Sequence, residues 1–304
     1  MSKLVQCVPN FSEGRRAEVV TKIVEAIDSA SGVNIVDYSM DADHNRSVVT
    51  FIGRPEDIHR SVLAGARVAV DLIDLNKHTG GHPRIGAMDV VPVVPLDEMT
   101  MDEAIDLGHA IGRDIADTLQ VPVYFYEQCA LRSECVNLAD VRKGGFETLK
   151  ERGLTNGREP DAGPSHVHPT AGATVVGARG PLIAYNVNLK SNDISAANAI
   201  AAKIRQLRNS GEAMPGVKAI GVYLKSRDIA QVSMNITQPH LVSMWGVYSF
   251  IKQQAHEMGI EILESELIGA VREHDLTDEM VSAMNLKGFS RKRVLDYWMR
   301  EFER

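Results

Sequence analysis

The chain has 304 residues, 44% apolar and 24% charged, a soluble globular profile with room for two domains. Its 33 basic and 40 acidic residues give a net charge of −7, which argues against a general nucleic-acid binder but allows a local basic pocket. No apolar run approaches the ~20 residues that span a bilayer, and the N-terminal MSKLVQ lacks the apolar core of a signal peptide.

In chain order, residues 4–8 read as a short buried strand that ends at the turn signal Pro9-Asn10. Residues 15–29 carry Val20, Ile23, Val24 and Ile27 on one helical face. Residues 33–36 read as a strand, followed by a polar loop over 37–46 and an alternating strand over 47–53. Pro55 opens a helix with a stripe of Ile58, Val62, Ala66, Ala69 and Ile73. A Gly/His loop over 76–86 leads into an apolar strand at 88–94, where Pro92 predicts an edge or a bulge. Thr100 and Glu103 form a capping box for the next helix. A strand follows at 121–126 and a helix at 139–150. Residues 153–180, rich in Gly, Pro, His and Thr, read as a functional loop or linker.

The second half repeats the order. Strands are predicted at 182–189, 219–224, 229–236 and 260–264, and helices at 193–208 and 240–258, the latter stopped by Gly259. Both halves spell βαββαβ, so the expected fold is α/β (α+β) with two ferredoxin-like subdomains, residues 1–180 and 181–304. Asn186 and Asn188 on one strand, and Gln231, Ser233 and Asn235 on another, alternate with apolar residues. That pattern suits either a ligand-bonding wall or an ordinary wet sheet face.

Three segments concentrate chemistry. His78-Thr79-Gly80-Gly81-His82-Pro83-Arg84-Ile85-Gly86-Ala87-Met88-Asp89 presents two histidines, an arginine and an aspartate at the entry to a buried strand, on a loop where a His near neutrality can act as base and then acid. Asp37 and the Asp41-Ala42-Asp43-His44-Asn45-Arg46 run offer metal-ligand types or a solvated loop. His78 and His82 have helical zinc-pair spacing, but Gly80-Gly81 disfavours a helix there and no catalytic Glu sits inside the motif. Around residues 161–173 no nucleotide-binding glycine motif occurs, and the glycines suit close approach to a flat ligand or a flexible linker. Cys7, Cys129 and Cys135 form no CxxC and fit free thiols in a reducing, cytoplasmic compartment, with Cys7 read as a small buried hydrophobe.

The stretches LVQCVPNFSEG (4–14), DHNRSVVTFIG (43–53), HTGGHPRIGAMDVVPVVP (78–95), VPVYFYE (121–127), GPSHVHPTAGATVVGAR (163–179), LIAYNVNL (182–189) and ESELIGAV (264–271) resemble the glutamate formimidoyltransferase (glutamate formiminotransferase) family. The resemblance covers nearly the whole chain, in the free-standing form without a cyclodeaminase. It implies two ferredoxin-like subdomains with a ligand cleft between them, in a homodimer. The implied reaction moves the formimino group of N-formimino-L-glutamate to N5 of tetrahydrofolate, within histidine degradation.

The catalytic histidine of the family falls on His82. Its folate-binding segment falls on Gly163, Pro164, Ser165, His166, Val167, His168, Pro169, Thr170, Ala171 and Gly172. Some vertebrate-like members carry Asp at Ser39 and Gln at Glu266. Within this reading Asp37, Asp41 and Glu266 are candidates to support cationic nitrogen. Arg46, Arg84 and Arg179 are candidates for substrate carboxylates. Tetrahydrofolate is expected as co-substrate, with no metal, no nucleic acid and no membrane partner. Two alternatives stay open: a 5-formyltetrahydrofolate-converting enzyme, and a metal-dependent amidohydrolase using His78, His82 and the Asp41–Asp43 loop.

Overall fold

Val5–Cys7 (β1) and Asn10–Phe11 (β2) form one strand line broken at Val8-Pro9, and the pair lies inside the first sheet of a computed structural model that describes residues 3–155 and 157–302. Met1 and Ser2, the head of the segment read for a leader, lie outside the described residues, as do Asn156, Glu303 and Arg304. The chain divides into two compact units, one running to Arg179 and one spanning Gly180–Glu301.

The first unit continues with α1 (Ala17–Ser29), β3 (Val33–Asp41), β4 (Arg46–Gly53), α2 (Pro55–Leu72), β5 (Met88–Pro95), α3 (Met101–Leu119), β6 (Val123–Glu127), α4 (Leu138–Val141), α5 (Gly145–Arg152) and β7 (Thr174–Ala178). Its sheet runs β3, β4, the β1/β2 line, β5, β7, β6. The strands as far as β5 are antiparallel and give the ferredoxin-like order; β7 and β6 then add on in parallel. Of the predicted amphipathic faces, Ile23 and Ile27 of α1 pack into the core with Ile58, Val62 and Ala66 of α2, joined by Val19, while Val20 is buried and Val24 partly buried. Each such side chain contributes roughly 1.5–3 kcal/mol on leaving water. The predicted capping box starts α3: the Thr100 hydroxyl accepts from the Glu103 N–H at 3.2 Å, and the Glu103 carboxylate accepts from the Thr100 N–H at 3.0 Å.

Three sequence expectations are corrected here. The polar stretch read as a loop from Asp37 is strand through Asp41, because Asp37, Tyr38 and Ser39 pair with Thr50, Val49 and Val48 of β4. Pro92 is neither at an edge nor at a bulge. It sits inside β5, opposite the Val8-Pro9 break on one side and Gly177 of β7 on the other. Val8 still donates to the Pro92 carbonyl at 3.3 Å, and the break spares the ladder the N–H that proline lacks. The 153–180 segment is not all linker. Its end is β7, a central strand whose second face packs on a smaller cluster with Tyr124, Tyr126, Cys135 and Leu149. A strand buried on both faces reads as a short apolar run without alternation.

The second unit holds β8 (Ile183–Leu189), α6 (Ile194–Ser210), β9 (Val217–Leu224), β10 (Ile229–Ile236), α7 (Met244–Glu257), β11 (Ile262–Ile268), α8 (Asp278–Ala283) and α9 (Leu295–Phe302). Its antiparallel order β11-β8-β10-β9 is ferredoxin-like throughout. Ile183, Tyr185, Val187 and Leu189 face the core with Ala230, Val232, Met234 and Ile236, as the alternation predicts. On the opposite face Asn188 is fully buried rather than presented as an open wall. It accepts from Gln231 at 2.8 Å and donates to Glu264 and Glu266 at 3.0 and 2.8 Å.

Candidate active site

Three backbone segments converge at one end of the first sheet: residues 10–14 after β2, residues 41–46 joining β3 to β4, and residues 76–87 leading into β5. Their contact is close enough to require glycine. A Cβ on Gly80 would stand 2.2 Å from the His44 carbonyl oxygen. Asn45 stitches the three together: its Oδ1 accepts from the Gly14 N–H at 2.9 Å and its Nδ2 donates to the Thr79 carbonyl at 3.0 Å. Gly81 N–H donates to the Asp43 carbonyl at 3.2 Å, and the Ser12 hydroxyl donates to the Gly86 carbonyl at 2.6 Å.

These segments line an open concavity of about 190 Å³, solvent included, bounded by Phe11, Ser12, His44, Asn45, Arg46, His78, His82, Arg84 and Asp89. All of its lining residues belong to the first unit.

His82 stands among cations. Burial, and then the charges of Arg46 and Arg142, push its pKa down to about 2. Its ring faces His44 edge-on, with centroids 6.1 Å apart and planes at 75°. The His44 ring Nδ1 meets Asp41 Oδ2 at 2.5 Å, and the His44 backbone N–H donates to Asp41 Oδ1 at 2.8 Å. Burial opposes ionisation of Asp41, but these bonds outweigh it and hold the carboxyl below its usual range.

Arg46 donates to the Asn10 carboxamide oxygen, while its Nε is buried with no hydrogen-bond partner. Burial and then the like charge of Arg142 bring its pKa down to about 10, against the opposing pull of Asp89 and Asp41. Asp89 Oδ1 accepts the Ile85 and Gly86 N–H groups at 2.7 and 3.1 Å, and Oδ2 takes Arg142. Asp89 thus ties the strand start and residues 85–86 to the segment after α4.

Other predicted residues have different surroundings. Arg84 forms a two-bond fork with Glu147 of α5, at 2.8 and 2.6 Å, and its Nε donates to His78 Nδ1 at 3.1 Å. The fork offered for a substrate carboxylate is already filled. His78 also meets the Asn45 carbonyl through Nε2 at 2.8 Å, so both of its ring nitrogens are occupied and it braces the loops. This does not assemble the amidohydrolase ligand set, and among the described residues no group of three or more His, Cys, Asp or Glu side chains is placed to hold a metal ion. Asp37 lies in β3 opposite Thr50 and outside the concavity lining. Arg179 follows β7, its backbone N–H on the Val93 carbonyl at 3.0 Å, also outside that lining. Glu266 belongs to the second unit, where Asn188 and Arg227 bind it.

The 163–172 segment is a loop fastened beside the histidine loop. Leu75 N–H donates to the Thr170 carbonyl and Ala87 N–H to the Ala171 carbonyl, both at 2.9 Å. His168 and Gly172 exchange a pair of backbone bonds at 3.1 Å, and His168 Nδ1 accepts the Ala171 N–H at 3.0 Å. Gly172 has φ +73°, and a Cβ there would meet the Ile85 carbonyl at 2.1 Å. Ser165, His166 and Pro169 remain exposed.

Asn10, Arg142 and Glu147 are the site residues that sequence reasoning missed, whereas Asp89 closes the histidine stretch that the sequence singles out. Asn10 lies inside a motif stretch but reads there only as a turn signal. Arg142 stands 53 positions from Asp89, with no local signal linking them.

Comparison with known proteins points to one family. The family model described as "Formiminotransferase domain, N-terminal subdomain" matches residues 4–179, and "Formiminotransferase domain" matches residues 184–284. The glutamate formimidoyltransferase of Streptococcus pyogenes serotype M1 is 40% identical over 297 residues, covering 97% of this chain and 98% of that protein. The protein of the same name from Thermoplasma acidophilum is 38% identical over 295 residues, covering 96% of each. The formimidoyltransferase-cyclodeaminase of Rattus norvegicus is 40% identical over 275 residues, and the match spans 50% of its length.

Proposed function

The chain belongs to the formiminotransferase family, and from that premise we propose that it is a glutamate formimidoyltransferase, moving the formimino group of N-formimino-L-glutamate to N5 of tetrahydrofolate. The products are 5-formiminotetrahydrofolate and L-glutamate. The observation that carries the residue assignment is His82, held neutral beside Arg46 in the concavity.

N5 of tetrahydrofolate attacks the amidine carbon, forming the new N–C bond. His82, as the neutral imidazole, takes the N5 proton. The bond from carbon to the glutamate nitrogen then breaks, and the His82 imidazolium returns the proton to that nitrogen. One histidine serves both steps, so no proton is left over. Arg46 holds a carboxylate of the formimino donor through charge-assisted bonds. Asp41, which acts through His44, Asp37 and Glu266 are the carboxylate candidates for steadying cationic nitrogen, and Arg179 is a further carboxylate-binding candidate. The loop from Gly163 to Gly172 holds the folate, its exposed Ser165, His166 and Pro169 beside the histidine loop. The enzyme works in the cytoplasm as a homodimer, in histidine degradation. Its three buried free cysteines support the reducing compartment.

The test is glutamate release from formiminoglutamate, measured with and without tetrahydrofolate. Release that requires tetrahydrofolate supports the proposal. Equal release without it makes the protein a hydrolase.

A further inference from the structure

Four acids around the concavity are committed. Asp89 spends Oδ1 on two backbone N–H groups and Oδ2 on Arg142. Asp41 spends both oxygens on His44, Glu147 holds Arg84, and Glu13 holds Arg16. Arg46 keeps only the neutral Asn10 carboxamide, and its buried Nε has no partner. Arg46 as a whole is half-buried, but its Nε is shut off from solvent, and a buried donor without an acceptor is costly. The concavity is therefore short of one negative charge, on the side where Arg46 faces His82.

Resting on the transfer reading above, we propose that a carboxylate of the amino-acid donor, seated on Arg46, completes the base: His82 accepts a proton only while that anion is in place, and the Asp89–Arg142 pair is the positioning element that keeps protein carboxylates away from the seat. The groups around His82 are Arg46 from β4, Arg142 beyond α4, Asp89 from β5, His44 from the β3–β4 connection with Asp41 bound to it, and His78 and Arg84 from its own loop. Only Arg46 among the cations lacks a charged partner in this set. Burial and the charges of Arg46 and Arg142 suppress the protonated imidazole in the free protein. A bound carboxylate cancels part of that field and favours imidazolium. The base is thus idle until the donor arrives, which also excludes formimino compounds that lack a carboxylate.

The test is the pH titration of the His82 ring signal by NMR, assigned with His82→Gln, in the free protein and with saturating L-glutamate as the probe. The expected result is no titration between pH 5 and 8 in the free protein and a midpoint brought inside that window by L-glutamate; a ring that stays untitrated there with L-glutamate overturns the proposal. By linkage, L-glutamate then binds more tightly as pH falls through the raised midpoint. Arg46→Gln is expected to raise the midpoint without L-glutamate and to abolish the further response to it. A free-protein midpoint near the ordinary ~6.5, unmoved by L-glutamate, overturns the proposal. The titration is read without turnover, so failure of formimino transfer falls on the functional reading alone.

Discussion

His82 meets the edge of His44 at 6.1 Å, and His44 is anchored in turn by Asp41 on the β3–β4 connection. Two histidines side by side therefore have unlike surroundings. One is bound to a carboxylate, while the other is enclosed by guanidinium charge and stays neutral. Unlike environments for neighbouring titratable groups are how a site separates its proton donors from its acceptors.

The first expectation is that His82→Ala lowers turnover by roughly 10²–10⁴-fold, the scale of general acid–base catalysis. Tetrahydrofolate binding, followed by fluorescence titration, should stay within a few-fold of the parent, because the loop at 163–172 is fastened by backbone bonds that do not involve His82. A loss below tenfold assigns the proton to another group.

Arg46 and Arg84 are expected to behave differently as lysine variants. Arg46→Lys should weaken L-glutamate binding by roughly 1–3 kcal/mol, the scale of charge-assisted bonds, since the planar fork is lost. Arg84→Lys loses the fork to Glu147 and the bonds to the His78 ring and carbonyl. It should lower the melting temperature and kcat while leaving L-glutamate affinity unchanged in calorimetry. Equal weakening of binding by both variants would put Arg84 on the substrate.

Gly80→Ala is expected to destabilise the chain by about 1–3 kcal/mol, the scale of overpacking. The obstruction is the backbone oxygen of His44, 2.2 Å from the added carbon, so no side-chain rotation relieves it. Urea denaturation with a lowered midpoint and unchanged slope is the expected reading. Gly180→Ala, with nothing within 4 Å of the added carbon, is the control expected to show no steric penalty.

In the second unit, Asn188→Ala is expected to cost about 1–3 kcal/mol, because Gln231, Glu264 and Glu266 each lose a buried hydrogen bond. Denaturant unfolding measures it. A neutral result would mean that water replaces the amide there.

Element types were legible where periodicity was strong. The alternating β8 and β10, the stripe of α2 and the capping box of α3 each state their structure locally. The strand β7 was not legible, because its five buried residues, Thr174 to Ala178, sit in a stretch whose Gly, Pro and His content signals a loop. Its partners, β5 and β6, lie far away in sequence, and parallel pairing leaves no turn between strands to read. At the site, the motif stretches marked the loops carrying His82 and Arg46. Which cation was spoken for was invisible: Glu147 lies 63 residues from Arg84, and the 1:1 pairing of Asp89 with Arg142 leaves no trace in spacing.

The last expectation concerns stability and pH. His82 titrates near ~6.5 in an unfolded chain but only at about 2 in the folded one. Between those limits the unfolded state binds the extra proton, so stability rises with pH and is lost on acidification. From neutrality to pH 5 this one histidine should take away about 2 kcal/mol. The folded pKa values of His78 and His168 are also lowered, first by burial, and they add in the same direction. Denaturant unfolding of the parent and of His82→Gln at pH 7 and pH 5 isolates the His82 share, since glutamine carries no proton in either state. The expected outcome is that the variant loses less stability than the parent over this interval. Identical losses in the two proteins would mean that His82 protonates in the folded state at its ordinary pH, and that the guanidinium field of Arg46 and Arg142 does not reach it.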